Sequence, residues 1–91
     1  MSNLVTIEPT QFTNTRSGES TFGFRAYDDY GQTYENIFES IPDDNLEFLA
    51  LVVEYPNEIL GGMLEYARIN EKVIKVGGTF YEYDEIKHIV G

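Results

Sequence analysis

VIKVGGTFYEY, residues 73–83, carries the strongest structural signal in the chain. Val73 to Val76 and Thr79 to Tyr83 are rich in β-branched and aromatic residues, and they flank Gly77 and Gly78. A two-residue hairpin loop of type I′ needs positive φ at both central positions, which glycine supplies at no steric cost. The spacing predicts an antiparallel hairpin in which Ile74 faces Tyr81 and Lys75 faces Phe80, with Lys75 diagonal to Glu82. Beyond it, Asp84 is placed to cap a short terminal helix over Glu85 to Val90.

Upstream lies LEFLALVVEY, residues 46–55, preceded by Pro42, Asp43, Asp44 and Asn45. Asp44 with Glu47 three residues later has capping-box spacing, so a helix starts there. At 100° per residue, Leu46, Leu49 and Val53 share one side, and Phe48, Leu51, Val52 and Tyr55 extend apolar cover around most of the rest. The polar strip that remains contains Asp43, Glu47 and Glu54, with Ala50 beside them. Pro56 ends this helix because its ring cannot continue the hydrogen-bond ladder, and Asn57 can cap a second helix. The predicted buried face of that helix is Ile59, Leu60, Met63, Tyr66 and Ala67; Gly61 and Gly62 weaken it by about 1 kcal/mol each relative to Ala.

Nearer the N-terminus, Phe22, Phe24 and Ala26 alternate with Gly23, Arg25 and Tyr27. Asp28, Asp29, Tyr30 and Gly31 supply turn residues, and Gln32 to Phe38 offers a return strand, which predicts a second antiparallel hairpin. Leu4 to Ile7 reads as a short edge strand closed by Pro9 and followed by a polar loop from Thr10 to Ser20. The expected architecture is a single α+β domain over residues 1–91. Its small antiparallel sheet comes from two hairpins packed against a helical pair, in the order β-ββ-αα-ββ-α.

Composition narrows the function classes. A chain of 91 residues supports one modest core, and 42% hydrophobic residues with 14% aromatic can fill it, so disorder is excluded despite a net charge of −10. No apolar run approaches the length of a membrane span, and MSNLVTIEPTQF lacks the basic start and apolar segment of a signal peptide, so the expected location is cytoplasmic. The absence of cysteine removes disulfides, thiol catalysis and thiolate metal sites. Sixteen acids against six bases repel nucleic acid and anionic membrane and attract a basic protein surface.

No motif for chemistry emerges. In AYDDYGQTYENIFE, placing Gly31 at the sixth position of a calcium loop puts Ala26 first, Tyr30 fifth and Ile37 last, so three oxygen ligands are missing. Neighbouring carboxylates such as Asp28 with Asp29, or Asp43 with Asp44, cannot face each other across a cleft as paired acid and base must. His88, the only histidine, has no Ser or Cys partner in a recognisable motif. Gly77 and Gly78 lack the length, lysine and following helix of a phosphate loop. The reading is a non-enzymatic protein with no catalytic residues, no cofactor and no metal.

The distribution of charge says more than its total. Between Arg25 and Arg68 there is no Lys or Arg, while the interval holds ten acids: Asp28, Asp29, Glu35, Glu39, Asp43, Asp44, Glu47, Glu54, Glu58 and Glu65. Arg68, Lys72, Lys75 and Lys87 lie in the last quarter, close to Glu71, Glu82, Asp84 and Glu85, and nearly neutralise it. The acidic interval has two readings. One is a solvated surface that keeps a small protein soluble. The other is a surface whose carboxylates, spaced like phosphates, present themselves to a basic groove; segregation favours the second, since a solubilising surface intersperses both signs. Seven tyrosines accompany the acids, and tyrosine is a common interface anchor. The predicted partner-binding residues are Asp28, Asp29, Tyr30, Tyr34, Glu35, Glu39, Asp43, Glu47 and Glu54.

In size, acidity and lack of catalytic motifs, with stretches such as TFGFRAYDDYGQTYENIFESIPDDNLEFLALVVEY and TFYEYDEI, the chain resembles the small phage and mobile-element proteins that block bacterial defence, including anti-CRISPR and other DNA-mimic inhibitors. The likeness is one of composition and covers Tyr27 to Glu65 best. It implies a non-enzymatic inhibitor that occupies the nucleic-acid groove of a host protein. The alternative is a small structural or assembly accessory protein that associates through tyrosine and apolar surface.

Overall fold

In the computed structural model, which describes residues 4–38, 42–55 and 57–90, the glycine-gated hairpin forms as its sequence dictates. Strand β4 (Val73–Val76) pairs antiparallel with β5 (Thr79–Glu82), Ile74 opposite Tyr81 and Lys75 opposite Phe80. Gly77 and Gly78 have φ of 55° and 87°, the left-handed values a type I′ turn requires. The upstream hairpin is also present, as β2 (Ser20–Tyr27) and β3 (Thr33–Ile37).

The first strand departs from expectation. Strand β1 runs from Val5 to Thr13, straight through Pro9, and pairs antiparallel with β2 along its length; the expected polar loop shrinks to residues 14–19. It is the central strand of the sheet, whose order is β3-β2-β1-β4-β5. Pro9 is tolerated for a geometric reason. The carbonyl of Ile7 accepts from the Gly77 amide at 3.0 Å, so residues 5, 7 and 9 turn their polar groups toward β4. The pairing with β4 ends at Ile7, opposite Val76, so the N–H that proline lacks has no strand beside it. The α+β class and the element order are as predicted. The β1–β4 pairing is parallel, which makes the five-stranded sheet mixed and joins both hairpins into one layer.

Three helices follow the predicted order: α1 (Asn45–Val53), α2 (Glu58–Ile69) and α3 (Tyr83–Val90). Asp44 Oδ1 accepts from the Glu47 amide at 2.8 Å, and Asn57 Oδ1 accepts from the Ile59 amide at 2.8 Å, so each cap takes up a helix N–H that would otherwise lack a partner. Pro56, the predicted terminator, lies outside the described residues. The last helix starts earlier than Asp84 would set it, because Glu85 reaches back to the Glu82 amide at 3.1 Å, one arm of a capping box.

All three helices pack on one face of the sheet. Phe48, Leu49 and Val52 of α1, Leu60, Met63 and Ala67 of α2, and Ile86 of α3 close over Val5, Ile7, Phe24, Ala26, Ile74 and Val76. Ile59 and Leu46, expected on apolar faces, are instead exposed. The start of α1 is tied to the β4–β5 hairpin by Asn45 Nδ2, which donates to Thr79 Oγ1 at 3.0 Å. No helix among the described residues is long and apolar enough to cross a membrane.

Candidate partner-binding surface

The predicted contact residues fall into three places rather than one. Asp43, Glu47 and Glu54 stand along α1 and its flanks, all exposed. Glu47 and Glu54 are seven residues apart, close to two full turns, so they share a side about 10 Å apart along the axis. Asp43 borders a surface cavity of about 160 Å³ lined by Pro9, Phe22, Pro42, Asn45 and Phe48. Among the described residues, none of these three carboxylates has a basic partner. The neighbouring Asp44 is engaged in capping α1.

The second place is the β2–β3 turn. Asp28 Oδ1 accepts from the amides of Tyr30 and Gln32, at 2.9 and 3.0 Å, and Gly31 takes φ of 87°, so Asp28 is the organiser of the turn. Asp29 Oδ2 accepts from the Leu4 amide at 2.8 Å, which ties the turn to the start of β1. Tyr30 is 72% exposed, yet its ring meets Tyr66 of α2 edge to face at 5.8 Å and their hydroxyls are 3.2 Å apart. The hydrogen bond between the two hydroxyls raises the Tyr30 phenol above its ordinary range. Phe22, beside Asp43, and Tyr27, at the turn, are five residues apart on β2, so the turn and the α1 strip are separated by roughly 17 Å.

The third place is strand β3, whose successive residues face opposite sides of the sheet. Glu35 is paired with Arg25 at 2.8 Å, on the face opposite α1. Tyr34 points the other way, into the core face: its half-buried ring meets Phe24 edge-on at 5.7 Å, and its hydroxyl accepts from Asn36 Nδ2 at 3.0 Å. Glu39 lies outside the described residues.

Of the remaining acids of the interval, Glu65 is ion-paired with Arg68, whose guanidinium holds the Glu65 carboxyl below the ordinary carboxylate range. Glu58 is exposed in the first turn of α2. A wider groove of about 500 Å³ opens between the end of α2, the β4–β5 hairpin and α3, and it carries both signs, with Arg68, Lys87, Glu71, Glu82 and Asp84 around Tyr83. Its bases are occupied: Arg68 by Glu65, and Lys87 by Asp84 at 3.8 Å. Among the described residues no three His, Asp or Glu side chains converge as a metal site, and His88 is exposed on α3. Compared with known proteins, the chain matches no family model, no curated protein and no solved structure.

Tyr66, the partner of Tyr30, was not among the residues predicted for the surface. Thirty-six positions separate the two in sequence, and no periodicity links a turn to a helix face at that distance.

Proposed function

We propose that this is a non-enzymatic binding protein whose acidic α1 strip docks on a basic, nucleic-acid-binding surface of a partner protein, taking the place of a phosphate backbone. One observation carries the reading. Glu35, Glu65 and Asp84 are each paired with a base, whereas Asp43, Glu47 and Glu54 are exposed with no base beside them among the described residues. Helix stability does not explain the last of these. Glu54 caps the C-terminus of α1, the negative end of its dipole, where an acid is unfavourable, and the last turn has no base to offset it.

An inhibitor that fills the groove of a nucleic-acid-binding complex is the form of this reading that the compositional resemblance suggests. A second reading, an accessory protein that assembles through aromatic and apolar surface, is favoured by the exposure of Tyr30, Ile69 and Phe80. Salt separates the two. A partner captured through the α1 strip is released as ionic strength rises, because the screening length is about 8 Å at 0.15 M. Retention of that partner unchanged at high salt would transfer the proposal to the apolar reading.

A further inference from the structure

We infer that the open face of the sheet is a self-association surface through which two copies of this chain pack sheet on sheet. The helices cover one face, and no element among the described residues lies over the other. Strand alternation and the pairing registers place Glu8, Arg25, Glu35, Lys75 and Glu82 on that open face. Three acids and two bases sum to −1, on a chain of net charge −10. Two copies meeting through their helical faces would oppose like charges; through the open face they meet with little repulsion.

Polar groups on this face are engaged within the chain. Arg25 lies against Glu35 at 2.8 Å, the Tyr27 hydroxyl donates to Glu8 at 3.3 Å, and Lys75 sits 5.4 Å above the Phe80 ring. Its two most exposed apolar groups stand at opposite edges, Ile37 on β3 at 50% and Phe80 on β5 at 61%, and Val73 on β4 adds a third at 36%. The registers set Ile37 level with Thr10 and Phe80 level with Thr6, so a two-fold axis lying between the sheets and inclined to the strands by roughly 35° would set Ile37 of one copy over Phe80 of the other. Both apolar ends would then be covered, and Glu35 of one copy would approach Lys75 of the other. Five strands span about 24 Å and average six residues, about 20 Å, so each copy presents roughly 500 Å² in projection, the size of a weak, reversible interface.

Edge-to-edge addition, the other way for sheets to join, is hindered at both ends. Phe38 N bonds inward to Phe22 O, so the adjacent Ile37 amide points away from β2, and Asn36 Oδ1 takes it at 2.8 Å. On β5 the Glu82 amide is held by Glu85. Face-to-face packing is therefore the mode the structure leaves open.

Sedimentation equilibrium of the whole chain, from micromolar to submillimolar concentration, tests this. The expected result is a reversible dimer of twice 10.4 kDa that tightens as salt screens the general repulsion, the opposite trend to binding through the α1 strip. Phe80→Glu and Ile37→Glu, each at an exposed position, should weaken it at least about tenfold while melting like the parent chain. A chain that stays monomeric at high salt and high concentration overturns the inference, and so does a dimer indifferent to both substitutions. Loss of the dimer in Glu47→Lys/Glu54→Lys, with Phe80→Glu without effect, would place the contact on the helices and equally overturn it.

Discussion

At Gly23, the β3 backbone on one side and the Phe12 ring on the other leave no room for a side chain. A Cβ there would fall on the Asn36 carbonyl oxygen, 2.9 Å from Ile37 Cα and 2.9 Å from the Phe12 ring, which lies across the glycine. Gly23→Ala should therefore destabilise the protein by about 1–3 kcal/mol, because two of these neighbours are backbone and cannot swing aside. Chemical denaturation reads it as a lower midpoint. Glu71 presents the opposite case. It follows α2 with φ of 53°, a left-handed conformation, while the Lys72 amide closes back on the Ala67 carbonyl at 3.0 Å. That bond is the outer one of a Schellman ending, in which glycine is the usual residue at the position Glu71 holds. Glu71→Gly should raise stability by about 0.5–1 kcal/mol, the relieved strain exceeding the extra freedom of the unfolded chain, and a thermal melt should move up by a few degrees. A fall in melting temperature would show that the Glu71 side chain contributes more than its backbone costs.

Among the elements, α1 joins stability to the proposed function. Its apolar residues Phe48, Leu49 and Val52 enter the core, and its exposed acids take no part in that packing. In the Glu47→Lys/Glu54→Lys variant the two changes act oppositely on the helix dipole: a base replaces an acid near the N-terminus, and another replaces an acid at the C-terminus, each worth about 0.3–1 kcal/mol. The fold should melt close to its original temperature, and affinity for a basic partner should fall by orders of magnitude through lost attraction and new repulsion. Normal affinity in the folded variant would reduce the strip to a solvated surface. The elements themselves were largely legible: both hairpins, the Asp44 and Asn57 caps and the order of strands and helices follow from turn chemistry and periodicity, whereas Asp84, read as the cap of the last helix, lies inside its first turn. The extent of β1 was not. Pro9 reads as a stop in sequence, and only the termination of β4 opposite Ile7 makes it harmless.

For the molecule as a whole, charge sets which partners are admitted. At −10, and with Arg25, Arg68 and Lys87 each paired to an acid, the isolated protein should not bind duplex DNA or RNA. An electrophoretic shift assay at low salt checks this, and micromolar binding would contradict the charge argument. The acidic interval was legible as a composition but not as a surface. Reading the turn as four residues would set Arg25 opposite Tyr34; the observed loop runs from Asp28 to Gln32, so Arg25 meets Glu35 and withdraws that acid from the set.

Local chemistry determined what each segment becomes, because capping, proline, paired glycines and residue alternation act within a few positions of themselves. The sign and segregation of charge were likewise settled by the sequence alone. The tertiary structure decided that β1 is central and bonded in parallel to β4, a pairing across some seventy positions that no local preference encodes. It also decided which acids stand together. Strand alternation sends Glu35 to one face and Tyr34 to the other, and the length of β2 holds the turn far from α1. One acidic interval thereby becomes an α1 strip, a separate turn and a neutralised sheet face, because the side a residue faces is set by pairing register and by what packs against it.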